Sequence, residues 1–120
     1  MRRLWLGLGI GVALATVVGS TAARAETREF TVVNIEFEGT KVWVPSALHV
    51  HKGDVVKIKL INNVKSDPNQ HGFAIPDFNV AAVVTRGEPA TVEFTATQGG
   101  IFPISCQLHP AHVGGQLIVQ

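Results

Sequence analysis

The chain has 120 residues, 46% of them hydrophobic and 16% charged, with ten Lys and Arg against nine Asp and Glu. That length suits one domain, and the sequence carries no basic run for nucleic acid, no low-complexity tail and no coiled-coil helix. A single cysteine, Cys106, rules out an internal disulfide, so the fold must rest on its hydrophobic core with a bound metal as a further aid.

Residues 1–25 read as an export leader. Arg2 and Arg3 precede an apolar run over residues 4–18, and Ala23-Arg24-Ala25 forms a small-x-small cleavage site before Glu26. The run is short for a membrane span of about 20 residues and is weakened by Gly7, Gly9 and Gly11. The expected product is a periplasmic protein, residues 26–120, with one domain and no membrane span. It keeps seven basic and nine acidic residues, a net charge of −2.

From there the chain predicts strand after strand. Residues 30–37 (FTVVNIEF) are rich in β-branched and aromatic side chains, Gly39-Thr40 breaks them, and residues 41–44 resume until Pro45. Residues 47–51 alternate, with Leu48 and Val50 on one face and His49 and His51 on the other; Lys52-Gly53-Asp54 makes a turn. Over residues 55–60 the period of two points Val56, Ile58 and Leu60 inward, with Lys57 and Lys59 outward. A polar loop follows over residues 62–70. Further strands are expected at residues 71–75, 80–85, 91–95 (Val92 and Phe94 buried), 101–106 (Phe102, Ile104 and Cys106 sharing a face) and 116–119. About eight short strands with regular turns predict an all-β fold, a Greek-key antiparallel sandwich or barrel.

Chemistry concentrates in four residues: His71, Cys106, His109 and His112. The last three form Cys-x-x-His-x-x-His in the final loop, and His71 opens a strand 35 residues earlier. In an antiparallel sandwich a strand end can meet the loop of a distant strand at the same pole. One thiolate with two or three imidazoles suits copper or zinc, and less often iron. A buried cysteine is commonly just a small apolar side chain. Three of five histidines at strand ends or loops around the single cysteine favour a metal site instead.

These segments resemble the cupredoxins, and the likeness spans residues 30–120. It is carried by Val50-His-Lys-Gly-Asp-Val-Val-Lys-Ile-Lys-Leu-Ile-Asn62, by His71-Gly-Phe73, and by Ile104-Ser-Cys-Gln-Leu-His-Pro-Ala-His112 with its Gly-rich return. Within that family the loop spacing is similar to that of amicyanin, and Cys-Gln-Leu-His-Pro is similar to nitrosocyanin, which has a Glu where His71 stands. The resemblance implies one copper ion with His71, Cys106 and His109 as equatorial ligands.

The fourth ligand departs from the family's methionine. Met1 is the only methionine and belongs to the leader, so His112 is the expected donor; a binuclear copper centre would need a second cysteine. A nitrogen donor there favours tetragonal geometry, Cu(II) and a lower potential, hence a green or red protein rather than an intensely blue one.

The expected role is one-electron transfer to a transient partner protein through His109 and its apolar surroundings, Pro110, Ala111, Val113 and Gly114, without enzymatic activity. Two rivals stand beside it. One is periplasmic copper buffering or delivery for copper tolerance, with His49 and His51 as an auxiliary loading site, although a solvated outer-strand face explains that pair as well. The other is catalysis on nitric oxide or reactive oxygen at an open metal position. Zinc rivals copper for the ion. Trp43 is expected in the core or at an edge, and a cysteine-protease reading lacks a third orienting residue.

Overall fold

Side chains that alternate between apolar and polar give each strand one face that avoids water, and two such faces bury one another. The computed structural model describes Gly7, residues 9–13 and residues 24–120. The leader expected over residues 1–25 lies for the most part outside them. Among the described residues no helix is long and apolar enough to cross a membrane.

Nine strands form there: β1 (Thr27–Phe37), β2 (Thr40–Val44), β3 (Ala47–Val50), β4 (Val55–Asn62), β5 (Gln70–Ile75), β6 (Val80–Thr85), β7 (Ala90–Thr95), β8 (Gly100–Ile104) and β9 (Gly115–Val119). One sheet has the order β2-β1-β4-β7, a second β3-β9-β8, and β5 pairs with β6 as a hairpin. Ala74 and Ser105 exchange both backbone hydrogen bonds, at 2.8 and 2.9 Å, so the hairpin continues the second sheet alongside β8.

The core lies between these layers. Val32, Val56, Ile58 and Leu60 meet Leu48, Val50 and Leu117 from the facing sheet, with Phe73, Ile75 and Val84 from the hairpin. Each such side chain contributes about 1.5–3 kcal/mol by leaving water. The period-two reading of β3 and β4 therefore holds, since Leu48, Val50, Val56, Ile58 and Leu60 are all at most 1% exposed.

Several details differ from expectation. Two of the six strand pairings, β1 with β4 and β3 with β9, are parallel, because the chain passes from one sheet to the other between β2 and β4. Val92 and Phe94 are half-buried, since β7 is an edge strand covered on one side only. The strand expected to reach Cys106 ends at Ile104, its last rung with β9, after which Ser105 changes partner to Ala74.

The strand expected to reach His51 ends at Val50, because the His51 N–H turns to the Asp54 carboxylate at 2.8 Å. Asp54 is itself fully buried. It also accepts from the Glu26 N–H at 2.9 Å and faces Arg28 Nε at 3.4 Å. Those two backbone donors, then Arg28, hold its carboxyl below the usual aspartate range.

Candidate metal centre

His71 is the second residue of β5 and shares a face with Phe73 and Ile75, so it stands at the end of the core row and is 0% exposed. Asn62, at the end of β4, fixes its approach. The Asn62 amide donates to the Asn69 and Val84 carbonyls, both at 3.0 Å, and its oxygen accepts from the Val64 N–H at 3.0 Å. The loop before His71 is thus tied to the strand opposite it.

The other three residues come from the β8–β9 loop. The His109 N–H donates to the Cys106 carbonyl at 3.2 Å and the His112 N–H to the His109 carbonyl at 3.0 Å. Two successive i+3 to i turns have a period near three residues. The i, i+3, i+6 spacing of Cys106, His109 and His112 consequently brings them to one side of the loop. Gly115 lets the loop close against β3, because a Cβ there would collide with the Ser46 carbonyl, which accepts the Gln116 N–H at 2.8 Å.

The four residues converge. One donor atom from each of His71, Cys106, His109 and His112 lies within 4.8 Å of the others. Cys106 Sγ is 3.6 Å from His109 Nδ1. The His71 ring centroid is 5.3 Å from those of both His109 and His112, which stack at 4.6 Å. An ion with metal–sulfur and metal–nitrogen bonds of about 2.3 and 2.0 Å holds the two donor types about 3.5 Å apart. The cluster fits such an ion.

Its hydrogen bonding points the same way. Both ring nitrogens of His71 and Nδ1 of His112 are buried without a hydrogen-bond partner among the described residues. Burial, then the neighbouring imidazoles and the Lys41 ammonium, lowers the pKa values of His71 and His112 and keeps them neutral. Neutral imidazoles have the free lone pair that a metal needs. Lys41 is held in place by Glu36 at 3.3 Å.

The thiol has one donor aimed at it, the Gly72 N–H at 3.1 Å from Sγ. Gly72 is held in turn by Trp43, whose indole N–H donates to the Gly72 carbonyl at 2.9 Å while its ring meets Phe73 edge-on. A Cβ at residue 72 would run into the Gln107 side chain, whose amide donates to the Ala82 carbonyl at 3.0 Å. Trp43 is therefore a core aromatic with a polar task. Sequence reasoning missed the parts played by Gly72, Gln107 and Asn62. The available signals were a glycine next to one candidate ligand, a glutamine next to another, and an asparagine closing an apolar strand.

His49 and His51 are not part of the cluster. They lie at the other end of the second sheet, where His49 is in register with Ile118.

Comparisons with known proteins agree with this architecture. A nitrous-oxide reductase from Cupriavidus necator is 44% identical over 55 residues, which are 46% of this chain and 9% of that enzyme; the chain thus spans under a tenth of this relative. A copper-binding protein whose apo form was solved by NMR superposes with a TM-score of 0.61 at 25% identity, covering 82% of this chain and 93% of the other. Reduced auracyanin from Roseiflexus castenholzii does so with a TM-score of 0.62 at 16% identity, covering 77% and 96%. The family model described as a cupredoxin-like domain matches residues 9–119, and with that match over nearly its whole length the chain belongs to the cupredoxin-like domain family.

Proposed function

We propose that this is an exported mononuclear copper protein that carries single electrons, with His71, Cys106, His109 and His112 as its ligands. One observation carries the reading: the ring nitrogens of His71 are buried and unanswered beside a thiol and two further imidazoles. A buried polar atom without a partner costs about 1–3 kcal/mol. An ion at the centre of the cluster removes that cost for the nitrogen it binds. Family membership favours copper over zinc, since the donor set alone permits both.

When bound, copper supplies a reversible one-electron change between Cu(II) and Cu(I). The chain's own residues do the rest. Burial of His71 and Cys106 excludes water from the inner side of the site. The Gly72 N–H draws charge from the thiolate sulfur, and Trp43 holds Gly72 through its carbonyl, in the next peptide. Strands on both sides limit how far the donors can move. His112 supplies nitrogen where relatives use a thioether, which supports a green or red site of low potential. His109 is half-buried, and the exposed Leu108 and Val113 near it give an apolar rim suited to a brief encounter with a redox partner protein. Export to the periplasm rests on the leader residues.

Copper reconstitution with optical and EPR spectra tests the reading. The expected result is one thiolate-bound copper that cycles by one electron. A chain that takes up one zinc tightly and refuses copper would overturn it. Catalysis needs an open metal position, and four convergent donors argue against one; rapid azide binding to the oxidised site would restore that alternative.

A further inference from the structure

We propose that His49 and His51 form a second, surface site for a divalent transition-metal ion, oriented by Gln120 and independent of the buried cluster. On β3 Leu48 and Val50 enter the core while His49 faces outward, and His51, the first residue after the strand, brings its ring alongside that of His49. Their ring centroids are 5.1 Å apart. That is close to the 5.3 Å between His71 and its two partner rings.

The backbone beneath the pair is pinned. The His51 N–H is held by buried Asp54 at 2.8 Å. The parallel register of β3 with β9 brings Gln120 level with His51, where its N–H donates to the Val50 carbonyl at 3.0 Å and its carbonyl accepts from the Lys52 N–H at 2.9 Å.

Gln120 also sets the chemistry of His49. Its Oε1 lies 2.9 Å from His49 Nε2. An acceptor at that distance keeps the ring proton on Nε2 and leaves the lone pair on Nδ1. Metal-binding histidines are commonly fixed in this way, with one ring N–H given to an oxygen and the other nitrogen given to the ion.

Two imidazoles on an exposed face, with the remaining positions open to water, suit Cu(II) above Zn(II) or Ni(II). The pair offers no soft sulfur donor, so it has little hold on Cu(I). Position separates it from the cluster as well. Ile104 pairs with Gly115 and Ile101 with Ile118, so the level of His49 lies about five residues, or about 16 Å, along the sheet from Cys106. An ion cannot pass from one site to the other without release. The pair is a binding site separate from the buried one.

Titration of the full chain with Cu(II), followed by equilibrium dialysis and EPR, tests this. Two ions per chain are expected, one with thiolate-to-copper absorption and one with nitrogen couplings and no such band. Ascorbate should release the second ion. The chain carrying both His49→Ala and His51→Ala should lose it while keeping the thiolate band, which also shows that the variant is folded. Gln120→Ala should weaken it about tenfold. Cys106→Ser removes the thiolate band and should leave the surface ion bound, so failure of the buried site is distinguishable from failure of this one. If no second ion binds, or if it persists in the double variant, the proposal is wrong.

Discussion

Asp54 and His71 stand near opposite ends of β4, eight residues or about 26 Å apart along the strand, and neither is exposed to water. Their polar atoms are treated differently. Asp54 receives two backbone N–H groups and faces a guanidinium, all from its own chain. His71 receives nothing from the described residues at either ring nitrogen. Asp54 is satisfied as folded; the His71 ring is left open on the side where the proposed ion would bind. Both ends hold satisfied buried polar groups, Asn62 and the Trp43 indole among them at the His71 end, but the unanswered imidazole nitrogens occur only in the His71 cluster among the described residues.

Substitutions can break this contrast. Cys106→Ala should have the largest effect on the site, abolishing thiolate-to-copper absorption entirely, while the metal-free chain melts at nearly the same temperature. Asp54→Ala should do the reverse. It leaves two backbone donors unmet, and calorimetry should show the greatest loss of thermal stability of any single change named here, with the copper spectrum of the folded fraction unchanged.

His71→Leu sharpens the comparison further. Removing a buried, unpaired ring should stabilise the metal-free chain by about 1–3 kcal/mol in urea unfolding, while copper affinity collapses. If His71→Leu destabilises instead, its ring is satisfied without an ion and the contrast fails. Trp43→Phe keeps an aromatic ring and removes one N–H. It should cost about 1 kcal/mol and shift the charge-transfer band, because Gly72 is no longer held under the thiolate.

The two ends should also respond to acid in separate windows. His71 and His112 have pKa values lowered by burial, so below about pH 6.5 the unfolded chain takes up more protons than the folded one. Stability of the metal-free chain therefore falls as pH drops through that range, and bound metal should hold it steady. Asp54, also lowered, adds stability above its ordinary value of about 3.9 and loses it as pH falls through the depressed one. Asp54→Asn should erase only that second loss. Unfolding curves between pH 3 and pH 7 check both.

Strand faces were legible because a period of two is local. Leu48, Val50, Val56, Ile58 and Leu60 all lie inside as read. The four cluster residues were legible for a related reason: three share a loop, and the fourth lies near the start of a strand. What the sequence did not reveal is who sits beside whom. Trp43 reaches Gly72 across 29 residues, and the Gly72 N–H reaches Cys106 across 34. Neither bond leaves a periodic trace. The exchange between Ala74 and Ser105 is equally hidden, since periodicity tells which face a residue takes but not which neighbour. Lys52-Gly53-Asp54 read correctly as a turn, yet nothing local told that its carboxylate is wholly enclosed.

That enclosed carboxylate bears on the cleavage expected from the sequence. The nitrogen 2.9 Å from Asp54 Oδ1 belongs to Glu26, the residue directly after the expected cleavage point. While the leader is attached, this nitrogen is a neutral amide. Peptidase action after Ala25 would convert it to an ammonium facing a shielded negative charge, adding a salt link at the instant of release. Processing would then harden the fold as well as free it. Acetylating the new amino group should undo the gain, which melting curves of the two forms would register.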